Sequence, residues 1–315
     1  MPLGEKERDH LQIVLRKCDM ALADKPTLAS IFGRKWRTDF AVRVLSVHSL
    51  ADAVFPEAYH APCLTDMPAD YQQRLEEGAA ILRARLRGQA WAQFVSRIRD
   101  RDAASATEEL LLARGFATEF GDIGLPSGNP AAPRPEFTVS IGTHRVAIEA
   151  RGLRNSRRVQ QLNDRSWRSG QYYWISADPS IGNPGRVRKA LAEKMLESAD
   201  DFPRISVLTL YSAFDALAAF DLARQMALRP ASFNIPQEKY PLAVALASHR
   251  LLQGIWFNDC VVQRIRYSRK IKERIRSAIK LSLYPRTDGV FLHEGMSDDE
   301  HNSAVWGKDI GETEG

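Results

Sequence analysis

Cysteine is scarce in this chain of 315 residues: Cys18, Cys63 and Cys260 are the only three, and they lie far apart. They make no CxxC pair and no metal-ligand spacing, so a thiolate metal site is excluded and buried free thiols are expected. The seven histidines are scattered, with no HExxH or HxH pair, which leaves zinc-enzyme chemistry without a ligand set. His144, in a turn, is expected to be exposed rather than catalytic. No apolar run approaches the ~18–20 residues of a membrane helix. The first residues, Met1-Pro-Leu-Gly-Glu-Lys-Glu-Arg8, contain no signal-type apolar segment. No membrane role is expected, and the chain is expected to be cytoplasmic. A glycine-rich phosphate loop is also missing: Gly182-Asn-Pro-Gly185 is a turn with no Lys-Ser or Lys-Thr behind it, and no Gly-x-Ser-x-Gly elbow occurs.

Charge, by contrast, is plentiful and uneven. The net charge is +5, but residues 294–315 hold seven acids and one base. The remaining 293 residues carry 43 bases against 32 acids, a net +11. A basic body suits a polyanionic partner, and it also serves plain solubility.

The periodicity divides the chain into three regions. Residues 1–100 are expected to be a helical N-terminal region able to dock a protein partner, with apolar residues at helical spacing over 11–18, 39–55 and 69–98. From 101 to 293 the pattern is that of an α/β domain, a mixed central sheet flanked by helices. It begins with a short helix, Ser105–Arg114, ended by Gly115, and a strand over Phe116–Phe120. After the hairpin described next come a helix over Arg186–Glu197, a buried strand over Ile205–Tyr211 and a helix over Ala213–Leu228. Strands over Leu242–Ala247, Gly254–Phe257 and Gly289–His293 complete it. Residues 294–315 form an acidic tail.

Residues 133–152 contain two short strands joined by a tight turn, and each strand carries one carboxylate, Glu136 and Glu149. Strand side chains alternate between faces. The two apolar faces coincide if Phe137 pairs with Ile148 and Val139 with Val146, with a turn of two residues (Gly142-Thr143) or four. Glu149 then lies opposite Glu136, with Cβ atoms roughly 4.5–5.5 Å apart. Two carboxylates so close repel unless a cation compensates, and a hard ion such as Mg²⁺ prefers carboxylate oxygens. Arg151, two residues on and on the same face, is placed to neutralise the pair instead, as an exposed Glu–Arg cluster.

These residues resemble the PD-(D/E)XK, or restriction-endonuclease-like, nuclease superfamily. The likeness is to its bacterial branch that reads Ala-x-x-Glu-Leu on a helix, then Pro-Asp-Phe, then a strand ending Glu-x-Lys. The matching segments are Ala106-Thr-Glu-Glu-Leu110, Pro135-Glu136-Phe137 and Ile148-Glu149-Ala150-Arg151. The resemblance covers about residues 100–260. It implies that Glu136, Glu149 and the backbone carbonyl of Ala150 bind Mg²⁺ (or Mn²⁺), supported by Glu109 (or Glu108) from the helix. Two departures stand out: Glu136 replaces the usual Asp, and Arg151 the usual Lys. An arginine stays charged and cannot act as a base, although it can orient a water or stabilise developing negative charge. The activity implied is metal-dependent hydrolysis of DNA, more than RNA, in bacterial defence or DNA processing. The alternative is a catalytically degenerate relative acting as a nucleic-acid-binding or scaffold subunit.

Two basic segments complete the picture. Arg154, Arg157, Arg158, Arg165 and Arg168 follow the second carboxylate strand, with Trp167, Tyr172, Tyr173 and Trp174 close by. They suit gripping a nucleic-acid backbone. Residues 264–280 hold eight bases and one acid. Helical from about Tyr267, this segment places Ile271, Ile275, Ala278 and Ile279 on an apolar stripe. Arg269, Lys272, Arg276 and Lys280 fall on the outer face, as phosphate contacts or as a solvated surface.

Overall fold

A computed structural model describes residues 5–39, 70–99, 103–125, 136–153, 183–197, 202–210, 216–248 and 251–283. The helix expected over 39–55 (beyond Asp39), the arginines of 154–168, the aromatics of 167–174, the strand over 289–293 and the acidic tail lie outside these residues. The described residues divide into two compact units, one up to Arg114 and one from Gly115 onward.

The first unit is helical. It contains α1 (Glu5–Leu22), α2 (Pro26–Ile31), α3 (Tyr71–Arg85), α4 (Gln89–Arg99) and the first part of α5 (Ala103–Phe120). The apolar spacing predicts one long helix over 69–98. The structure has two, because Leu86 turns extended and Gly88 takes a left-handed φ of 53° that breaks the run. Helix α2 has Pro26 in its first turn and no cap from its own N-cap residue. Glu76 of α3 replaces that cap, with its two carboxylate oxygens accepting from the amides of Thr27 (2.9 Å) and Leu28 (2.8 Å). A buried anion at a helix N-terminus satisfies orphan donors and complements the dipole. Gly78 of α3 lets α5 approach closely, since a Cβ there would lie 2.1 Å from the Leu110 carbonyl oxygen. Arg114 donates to Glu77 and holds its carboxyl below the ordinary glutamate value.

The second unit is built on a six-stranded mixed sheet with helices on both faces. The strands are β1 (Ile123–Gly124), β2 (Phe137–Ile141), β3 (His144–Leu153), β4 (Arg204–Leu210), β5 (Ala243–Ser248) and β6 (Leu251–Phe257), in that spatial order. Strands β1 to β3 form an antiparallel meander. The β3–β4 and β4–β5 pairs are parallel, and β6 returns antiparallel. Each parallel step needs a crossover, and these carry α6 (Asn183–Glu197) and α7 (Ala216–Leu228). Strand β4 is buried at every residue, as a strand covered on both faces must be.

Pairing assigns each side chain to a face. Leu153, Leu208, Leu210, Val244, Leu246 and Trp256 share one face and one core cluster with Val187, Leu191 and Met195 of α6 and Ala219, Phe220 and Met226 of α7. Phe220 meets Trp256 edge-on, with ring centroids 4.6 Å apart. The other face carries Phe137, Ile148, Ile205 and Phe257. It packs against the end of α5, where Phe116 meets Phe137, and against α9 (Arg269–Ser282), which follows α8 (Asp259–Arg264).

The structure corrects the expected helix end at Gly115 and the strand over 116–120. Helix α5 runs unbroken to Phe120. Gly115 provides close packing rather than termination: a Cβ there would lie 2.1 Å from Ser282 Oγ and 2.2 Å from the Ala278 carbonyl oxygen of α9. Cys260 is exposed rather than buried.

Candidate functional site

The β2–β3 hairpin has the expected register. Phe137 pairs with Ile148 and Val139 with Val146, around a two-residue turn in which Gly142 adopts a φ of 62°. The Ala147 amide donates to Pro203, on the β4 side (2.8 Å). Odd-numbered residues of β3 therefore direct their backbone groups toward β4, and even-numbered ones toward β2. Glu136 lies one step before the ladder. Continuing the register sets it opposite Glu149 in a non-hydrogen-bonded position, the kind where facing side chains come closest. The Glu136 Oε2 accepts from the Ala150 amide at 3.1 Å. Because N–H and C=O of one strand residue point the same way, the Ala150 carbonyl is directed toward the same side.

Burial changes the picture at Glu149. Its side chain is 2 % exposed, on the sheet face covered by α6 and α7. The expected exposed cluster with Arg151 is not what forms. Arg151 is exposed, and the cation beside Glu149 is Arg204, also 2 % exposed, with its Nη1 at 3.7 Å from Oε1. Arg204 opens β4 opposite Ala147, on the same face as Glu149, and also donates to the Met195 carbonyl of α6 (3.3 Å). In the sequence it is a charged residue at the head of an apolar run. Nothing local to that run reveals that a parallel pairing carries it to Glu149.

The helix acid proposed as support, Glu109, belongs to the helical unit, where the half-exposed Arg97 pairs with its buried carboxylate. Among the described residues, no group of three or more His, Cys, Asp or Glu side chains is arranged to hold a metal ion. The donors on the sheet match a hard cation in kind, as two carboxylates and a backbone carbonyl. Arg204 balances part of their charge already.

Residues 264–280 also differ from expectation. Arg264, Arg266, Arg269, Lys270, Arg274 and Lys280 are exposed. Lys272 and Arg276, expected on the outer face, are instead half-buried over the Phe257 ring, at 5.2 and 4.9 Å from its centroid. Arg269, Lys272 and Arg276 line a cavity of about 560 Å³ between α8 and α9, with Asp259, Glu273 and Tyr267. The Tyr267 hydroxyl donates to the Ile141 carbonyl at 2.9 Å, and burial raises its pKa well above the ordinary tyrosine value. His144, half-buried rather than exposed, meets Tyr267 edge-on. No described helix is long and apolar enough to cross a membrane.

No family model matches the chain, and no curated protein or solved structure is significantly similar to it.

Proposed function

We propose that this chain is a metal-dependent nuclease of the restriction-endonuclease-like type, acting on the phosphodiester bonds of DNA. The observation that carries this reading is the β2–β3 register, which extrapolates to Glu136 facing Glu149. Glu136, Glu149 and the Ala150 carbonyl would hold the ion. A bound Mg²⁺ or Mn²⁺ supplies Lewis acidity and a water of lowered pKa. The chain's own contribution is position and charge. The amide of Ala150 fixes the Glu136 carboxylate, and Arg204 stands beside Glu149. Arg151 is exposed on the same strand face, where a permanent positive charge attracts a phosphate but takes no proton.

Incubation of the full chain with plasmid DNA and Mn²⁺ tests the reading. Wild type should nick or linearise the plasmid. Glu136→Gln and Glu149→Gln should each reduce the rate by on the order of 100-fold or more, beyond what loss of an outer-shell partner costs a metal site. Equal rates in all three proteins would refute it.

The Arg204–Glu149 pair favours a second reading, a nucleic-acid-binding module on the same kind of sheet with an internal ion pair at its centre. It predicts DNA retention by all three proteins and cleavage by none.

A further inference from the structure

We infer that the cavity between α8 and α9 binds a backbone phosphate of nucleic acid, at a place separate from the paired carboxylates. This goes beyond the proposed function and shares with it only the polyanionic partner. Glu149 belongs to the sheet face covered by α6 and α7, whereas Phe257, on which Lys272 and Arg276 rest, belongs to the other face.

Charge and order carry the inference. The cavity wall holds Arg269, Lys272 and Arg276 against Asp259 and Glu273, a net charge of +1. One phosphodiester carries the matching charge. The Lys272 and Arg276 side chains are only 20 % and 19 % exposed, while Asp259 and Glu273 are 67 % and 55 % exposed. The bases are therefore packed into the wall and the acids stand in solvent. The Phe257 ring under both cations limits their rotamers, so less entropy is lost when an anion binds. The acid partners, Asp259 at 3.6 Å from Lys272 and Glu273 at 2.8 Å from Arg276, reach the bases from the solvent side, where ion pairs contribute little. An entering phosphate displaces them at little cost. Exposed Arg264, Arg266 and Lys270 belong to the same segment and extend the positive surface beyond a single phosphate. A nucleic acid, with phosphates in series, uses all of it, and a lone phosphate ion does not.

Fluorescence anisotropy of a labelled oligonucleotide with the full chain, between 50 and 200 mM salt (about the range over which phosphate binding is read), tests the assignment. The Arg269→Gln/Lys272→Gln double variant should bind about tenfold more weakly. Its log–log salt slope should be shallower by about one unit for each phosphate that is no longer neutralised. Lys189→Gln, which removes one positive charge at an exposed position of α6, should leave both unchanged. Glu273→Gln, which removes the acid beside Arg276, should tighten binding by about threefold, a gain that misfolding cannot produce. A double variant with wild-type affinity and slope would overturn the inference, as would a Glu273→Gln variant that binds no tighter. Inorganic phosphate titrated alone provides the last arm. A wild-type chain that holds phosphate at this cavity but not the oligonucleotide would overturn the nucleic-acid assignment.

Discussion

Arg204 and Glu149 are buried together, and such pairs are costly to break singly and cheap to replace jointly. Arg204→Met should destabilise the chain by about 3–5 kcal/mol in urea unfolding, because it removes the guanidinium from beside a buried carboxylate. Adding Glu149→Leu should recover most of that loss. Additive losses would mean that the two side chains do not act as a pair. The residue scale is where sequence reasoning is least sufficient. Glu136, Glu149 and their facing register follow from alternation, because one-residue slippage would set the apolar residues of one strand beside the polar residues of the other. Arg204 does not follow, because its partner is reached through a parallel pairing some 55 residues away, and no local pattern encodes that. For Lys272 and Arg276 the helix is legible but the environment is not: an aromatic ring from β6 draws them inward.

At the scale of elements, α5 shows how a glycine misleads. Gly115 after an apolar helical run has the form of a C-cap, yet the helix continues and the glycine serves close packing against α9. Gly115→Ala should therefore cost about 2 kcal/mol or more by thermal unfolding, as overpacking against backbone does. Gly185→Ala in α6, where a Cβ meets nothing within 4 Å, should be neutral or stabilise by up to about 1 kcal/mol. Equal effects at the two positions would contradict the packing assigned to Gly115. Strands β4 and β5 are legible within about one residue, since short β-branched runs bounded by polar residues leave few alternatives. Strand β6 is legible only from Gly254 on, three residues late, because the pairing shifts register at Leu246/Ala247, beside it.

For the molecule as a whole, the α/β layout is readable from the alternation of strand and helix patterns. Along the chain, the division between the compact units falls within α5, after Arg114. A continuous helix hides such a boundary, because its local pattern does not change where its packing partners do. The proposed activity rests on Glu136 and Glu149 acting together on one ion. Titration of the full chain with Mn²⁺, followed by the loss of free-ion electron paramagnetic resonance signal, tests this most directly. Saturable binding by wild type is predicted, with an affinity at least about tenfold lower in Glu136→Gln and in Glu149→Gln alike. Absence of saturable binding by wild type, or binding that neither substitution weakens, would contradict it.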